Sequence, residues 1–461
     1  KGDPPEESEV AFRCLGFDSC ILRWPVLLLG GFFPQSDVQG NPRAQDLTTE
    51  SLRLMFCPQP KKDACPEDSD CKSCIKGSPG GGVSAGGGPP GLGRGGRGKA
   101  NVFYAAGGAG GPGFPGSTAW NTALGKYWSH DFAMRIVPDP DIDHVWLITK
   151  YATFREFSSR NTTTNLYEVN SPSDEKRRLY YVPGTASWEL RSLDGTVEVF
   201  DASGKWTQTR DRHTVLQYNG FYNGLGQLDH VTFPDGKRDE FTYTAGGKLA
   251  TIREVGVDGT SSHEWVYSWS GDVLTTILRP DGSYWEHHYD DPAFPGYMTR
   301  MDLVTPGGIH RVEGGWEYDA SGNVIKSWRG DVAFAGPNAV DRLTYSWTNP
   351  ILPTQLVLTD ALASPTSSTY IVERDSNSRK PKIRSISGDC PICGAGPNST
   401  YDYGDAVNPL LPTRISDGLA KKTDFTYNAN GLVTAKTEAA TSPLARTTVW
   451  TYGNVTYPGL V

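Results

Sequence analysis

From about residue 120 to the end of the chain, apolar and polar positions alternate over short runs, and the runs are cut by turn dipeptides such as Asp-Gly and Ser-Gly. A period of two sends successive side chains to opposite faces of a strand, so these runs predict short β-strands and not helices. Within them a tyrosine recurs with an apolar or aromatic residue two positions earlier: Phe241 and Tyr243, Trp265 and Tyr267, Trp316 and Tyr318, Leu343 and Tyr345, Phe425 and Tyr427, Trp450 and Tyr452. That spacing puts both rings on one face. The residue between them is Thr242, Val266, Glu317, Thr344, Thr426 or Thr451, polar or β-branched as a wetter face prefers.

Fainter copies at His287 and Tyr289, at Tyr370, and at Ser399 and Tyr401 fill the gaps, which gives a mean step of about 26 residues between tyrosines 243 and 452. A turn follows most of these tyrosines, as in Tyr318-Asp-Ala-Ser-Gly322 and Tyr427-Asn-Ala-Asn-Gly431, and a second turn falls between them, as in Pro234-Asp-Gly236 and Pro280-Asp-Gly282. Each unit therefore reads as two strands and two turns. A lone hairpin is barely stable in water, so the units must pair edge to edge into one long sheet. The expectation is an all-β protein: antiparallel hairpin repeats forming a curved or spiralling sheet.

The rest of the chain has a different texture. Residues 1–76 carry six of the eight cysteines among charged and Pro-rich stretches without periodicity, and read as an irregular head. Residues 77–116 include 18 glycines in 40 positions, too little apolar surface to offset chain entropy, and read as a flexible linker. A β region is expected over 117–215 and the repeat array over 216–461. The most apolar run, 21–33, is broken by Arg23, Pro25 and a Gly pair, and is shorter than the roughly 20 residues a membrane span needs. It is read as a small buried element, with a trimmed remnant of an export or anchoring segment as the alternative. Because the chain stops just after a repeat-like segment, further repeats are expected beyond it.

The turn-bearing motifs carry a family resemblance. Tyr-Asp-Ala-Ser-Gly-Asn at 318–323 with the intervening Pro-Asp-Gly turns resembles the YD repeat of RHS proteins. Leu193-Asp-Gly-Thr-Val-Glu-Val-Phe-Asp-Ala-Ser-Gly204 resembles the entry to that family's array, and Trp128-Ser-His130 with Asp131-Phe132 its opening Trp-Ser-His segment. The resemblance covers roughly 120–461. It implies a β-strip that spirals into a hollow shell, as in bacterial polymorphic toxins, insecticidal toxin complexes and, more distantly, teneurins, where the shell commonly encloses a C-terminal cargo. Members that release cargo carry an Asp-Pro-x-Gly-Arg signature. Here Asp139-Pro140 and Asp291-Pro292 lack the Gly-Arg, so self-cleavage is not carried over.

Charge and candidate chemistry narrow the function. A net charge of −8 gives no footprint for nucleic acid. Gly93-Arg-Gly-Gly-Arg-Gly98-Lys99 has phosphate-loop spacing, but Ala100 stands where a Mg²⁺-binding Ser or Thr is required and no strand precedes it; the same stretch as an RGG-type RNA contact has only two arginines. Of eight histidines only His287 and His288 are adjacent, and a strand sends them to opposite faces, against their holding one metal together. Asp and Glu crowd the turns, where they cap backbone groups. No acid, base, nucleophile or cofactor is assigned, and the chain is read as a non-enzyme. Cys71-x2-Cys74 and Cys390-Pro-Ile-Cys393 could together make a four-thiolate zinc site if head and array met; disulfides or buried thiols are the alternatives. The repeat aromatics are read as structural. Two functions stand: a secreted or cell-surface shell wall that encloses or presents a C-terminal toxin or effector of the same polypeptide, or an adhesion module whose exposed rings bind glycans or a neighbouring cell's protein. Inward-packed Trp265, Trp316 and Trp450 would favour the wall, and an exposed row of rings the glycans.

Overall fold

The computed structural model describes residues 102–104, 123, 125, 128–138, 144–150, 154–171, 175–320, 322–348, 355–361, 365–374, 381–388 and 398–454. The head at 1–76 lies outside the described residues, and so do Cys71, Cys74, Cys390 and Cys393. Their zinc or disulfide chemistry is therefore not addressed by the fold.

Among the described residues every regular element is a strand, as the period-two pattern requires. Twenty-three of them, from Arg178–Val182 to Arg446–Val449, form one sheet in which each strand pairs antiparallel with the next in sequence. No ladder between described residues joins the last of these strands to the first, so the sheet is a strip with two ends and not a closed barrel. A second sheet of four antiparallel strands, Arg135–Pro138, Val145–Ile148, Phe154–Ser158 and Glu168–Ser171, precedes it. It is joined to the strip through bridges from Arg135 to Lys205 and from Leu166 to Tyr180. Val102–Tyr104, inside the stretch read as linker, pairs antiparallel with Trp128–His130. Its Val-Phe-Tyr run is strand-forming even though glycines surround it.

The turns explain why the strip is so regular. At Asp201, Asn223, Thr244, Asp319 and Asn428 the backbone N–H donates to the carbonyl four residues on, and the glycine three residues on donates back. This is a type I turn closed by a left-handed residue. That residue is Gly204 at φ 77°, Gly247 at 77° and Gly322 at 81°, a conformation that disfavours any Cβ. Asp201 Oδ1 accepts from the N–H groups of Ser203 and Lys205 and fixes the turn from its first position. On the opposite rim the same backbone turn holds its aspartate third: Asp235 Oδ1 accepts from Lys237 N–H and Asp281 Oδ1 from Ser283 N–H. The Tyr-Asp and Pro-Asp-Gly motifs are thus two solutions to one turn, one for each rim of the strip.

One hydrophobic cluster runs along the strip from Trp188 and Phe200 through Trp206, Phe241, Ile252, Trp265, Ile277 and Trp316 to Leu358. A separate small cluster of Ile383, Ile386 and Tyr401 continues it. All of these side chains lie on one face.

Candidate functional site

The face that carries the cluster is organised by a ladder of aromatic tips. Tyr243 Oη donates to the Leu228 carbonyl at 2.8 Å, Tyr289 to Leu274 at 2.8 Å, Tyr318 to Met298 at 2.6 Å, Tyr427 to Pro412 at 2.7 Å and Tyr452 to Val433 at 2.9 Å. Each ring stands at the turn end of its strand and reaches the start of the strand before it. Burial pushes the hydroxyls of Tyr243, Tyr289, Tyr318 and Tyr427 above the ordinary phenol range, so they remain donors.

Tyr267, Tyr345 and Tyr401 occupy a different position from these five. All three are buried on the same face, but the rung itself is made two residues later. Trp269 Nε1 donates to Leu249 O at 2.6 Å, Trp347 Nε1 to Val324 O at 3.2 Å and Tyr403 Oη to Ile383 O at 2.8 Å. Tyr222, bonded to the Trp206 carbonyl at 2.6 Å, is a further rung upstream of the tyrosines picked by spacing. These four were legible in one respect. Each lies at or next to the last residue of its strand, and that position, more than the identity of the ring, defines the rung. Trp265 and Trp316 are buried in the cluster, whereas Trp450, beside the last strand of the strip, is half-buried.

A cover lies over this face. Described residues between Ala123 and Ile136 contact the strip from Gly204 to Tyr289. Leu249 N–H donates to Ala123 O at 2.7 Å, Trp128 Nε1 donates to Tyr289 Oη at 3.2 Å, and the Trp128 ring meets His287 edge-on at 5.0 Å. His130 packs on Phe241 at 5.6 Å, and Phe132 stacks on Trp206 at 5.2 Å and leans on Tyr218 at 5.8 Å. Ile136 N–H closes on Gly204 O at 2.8 Å, where any Cβ at 204 would strike the Ile136 carbonyl. Burial holds the His130 imidazole down at about 4, against the neighbouring charge of Asp131, and His287 down at about 3. Both rings are neutral packing elements.

The opposite face is wet. It bears Arg238 and Arg253 on Glu240, Thr242 on Thr251 at 2.7 Å, Arg414 on Asp424 at 2.6 Å, Thr426 on Thr434 at 2.8 Å and Thr437 on Thr447 at 2.9 Å. A lipid-facing barrel needs an apolar band there, and these charged and hydroxylated pairs interrupt any such band. No helix among the described residues is long and apolar enough to cross a membrane. Phe221, stacked on His230 at 4.4 Å, is the one exposed aromatic side chain among the described residues.

No family model matches the sequence, and no curated protein does. Among solved structures, TcdB2-TccC3 without its hypervariable C-terminal region is similar over 68% of this chain and 20% of its own, at 12% identity and a TM-score of 0.30. The Photorhabdus luminescens Tc holotoxin pore bearing TccC3-D651A is similar over 68% of this chain and 22% of its own, at 10% identity and a TM-score of 0.23. A porin-like protein from Bacteroides uniformis is similar over 58% of this chain and 92% of its own, at 11% identity and a TM-score of 0.21. The chain thus spans about a fifth of the toxin-complex chains it is similar to. With scores this low, what the chain does must be read from its own residues.

Proposed function

We propose that the chain is a stretch of shell wall from a secreted or cell-surface protein, without catalytic chemistry of its own, which encloses or presents another part of its polypeptide or an effector. The observation that carries the reading is the two-sidedness of a strip that returns to its beginning. One face is an aromatic ladder that described residues of 123–136 cover between Gly204 and Tyr289, the other is wet, and Lys176 Nζ, just before the first strand, reaches Ala429 O at 3.4 Å across 253 residues. A surface that separates two compartments needs a dry seam and a soluble exterior, and both are present. The glycan reading would need a row of exposed rings, and among the described residues Phe221 is the one exposed Phe, Tyr or Trp, which does not make one.

The strip sets a size limit on what it can hold. Twenty-three strands spaced about 4.8 Å apart run for about 110 Å, and curled into one ring they would be about 35 Å across before inward side chains are counted. A folded domain of about 100 residues is itself roughly 34 Å across. Enclosure therefore requires more wall than this segment supplies. The test is limited proteolysis of the natural full-length polypeptide followed by size exclusion. A resistant fragment that contains 178–454 together with further wall, and that co-elutes with a second, trapped fragment, is expected. Digestion throughout 178–454 at protease levels that cut only surface loops, or release of every other fragment from it, would overturn the reading.

A further inference from the structure

We propose that Glu286, Asp302 and His310 form a binding site for one divalent transition-metal ion on the wet face of the sheet, with His288 beside them. The residues come from three consecutive strands, Tyr284–His288, Arg300–Val304 and His310–Tyr318. The register brings them together: Glu286 stands opposite Asp302, His288 opposite Arg300, and His310 opposite Val304. Directly opposed residues share a face, so all four chelating side chains project to the same side, away from the buried His287.

The spacing separates a metal site from a hydrogen-bonded network. His310 Nδ1 is 3.6 Å from Glu286 Oε2 and 3.7 Å from Asp302 Oδ2, and His288 Nε2 is 3.8 and 3.5 Å from the same two oxygens. At such lengths hydrogen bonds are weak or absent. They are the lengths expected between ligand atoms around an ion, since bonds of about 2.1 Å in a tetrahedron put neighbouring donors about 3.4 Å apart. One ligand atom each from Glu286, Asp302 and His310 lies within 4.8 Å of the other two.

The surroundings suit a cation. Asp302 is nearly sealed, its side chain 3% exposed, while Glu286 at 32% and His310 at 52% leave an open approach from solvent. Mixed imidazole and carboxylate donors favour Zn²⁺ and its first-row neighbours over Ca²⁺ or Mg²⁺. Arg300 is the competitor. Its Nε donates to Asp302 Oδ1 at 3.1 Å, and its Nη2 lies 2.9 Å from His288 Nε2, so with neutral histidines the group carries two carboxylates against one guanidinium. The net charge of the cluster still favours a cation. An ion bound here would tie three neighbouring strands together from the face that the aromatic ladder does not reach.

The experiment is calorimetric titration of the full chain with Zn²⁺ after its thiols have been alkylated, which removes the cysteines as ligands. One ion per chain is expected, with binding lost in His310→Ala and weakened in Glu286→Gln by more than the roughly 10- to 100-fold that an outer-shell change costs. Arg300→Met is the second variant. Removal of the competing cation should tighten Zn²⁺ binding, and any fall in melting temperature in chelator should be recovered when Zn²⁺ is added. Absence of binding to the alkylated chain, binding that survives both His310→Ala and Glu286→Gln, or Arg300→Met binding no more tightly than the parent would each overturn the proposal.

Discussion

A single rung of the ladder shows how much of the stability sits in individual residues. The Tyr318 hydroxyl satisfies the Met298 carbonyl beside a turn, and its ring packs against Tyr297 at 5.3 Å. Tyr318→Phe keeps the ring and removes the hydroxyl's bond to the carbonyl, which should cost about 1 kcal/mol, whereas Tyr318→Ala also empties the site and should cost about 3 to 5 kcal/mol. Thermal unfolding of the pair separates the two contributions. Equal melting temperatures for parent and both variants would dismiss the ladder as a stabilising feature. Turn residues behave in the opposite sense. Ala420 stands at φ 59°, the position that Gly431 and Gly322 fill in sister turns, so Ala420→Gly should stabilise by about 1 kcal/mol. Gly322→Ala should destabilise, because its Cβ would also come within 3.1 Å of Tyr297.

The buried histidines give a residue-level pH signature with a definite sign. An unfolded chain takes up these protons near pH 6.5, while His130 and His287 in the fold resist protonation until about 4 and about 3. Stability is therefore fully present above pH 6.5. It falls as pH drops toward the folded values, at about 1.4 kcal/mol per pH unit for each histidine, and levels off below them. Glu175 acts in a lower window. Burial alone would raise it, but Arg177 and Arg155 overcome that and hold it at about 2, so its contribution is lost only between about 4.5 and 2. His287→Phe preserves the ring against Trp128 and removes one titration, so the acid unfolding midpoint should move to lower pH. A midpoint unchanged by this substitution would remove His287 from the account.

At the scale of elements, the alternation of apolar and polar positions was enough to predict strands, their hairpin pairing and which residues face inward, because period two leaves little freedom once one face must be dry. Phe241, Trp265, Trp316 and Leu343 are buried as their pattern required. What the pattern could not resolve was the rung within each strand. Tyr267 and Trp269 lie on the same face two residues apart, and only the distance to the turn decides which tip meets the neighbouring carbonyl. The cover was illegible for another reason. Trp128, Ser129 and His130 lack alternation because all three are buried, Ser129 completely, in a segment that runs across strands instead of along one. The Glu286–Asp302–His310 group was hidden as well, since it is assembled by register between strands and not by spacing along the chain.

The molecule as a whole rests on cumulative curvature. Nothing in one hairpin says where a strip of 23 will lead, since a small twist between neighbours is multiplied along the sheet. The contact that records the sum is local and testable. Lys176 Nζ meets Ala429 O at 3.4 Å, and a Cβ at Gly431 would lie 3.5 Å from Lys176 Cε. A photo-reactive amino acid placed at Lys176 should therefore label the turn at 428–432, identified by mass spectrometry of the native chain, and the label should vanish in denaturant. The pair itself contributes little energy, being exposed, so Lys176→Ala should leave the melting temperature within about 0.5 kcal/mol of the parent. Labelling confined to residues near 176 in sequence would mean that the strip does not return on itself. The diameter argued from its strand count would then no longer limit what it can surround.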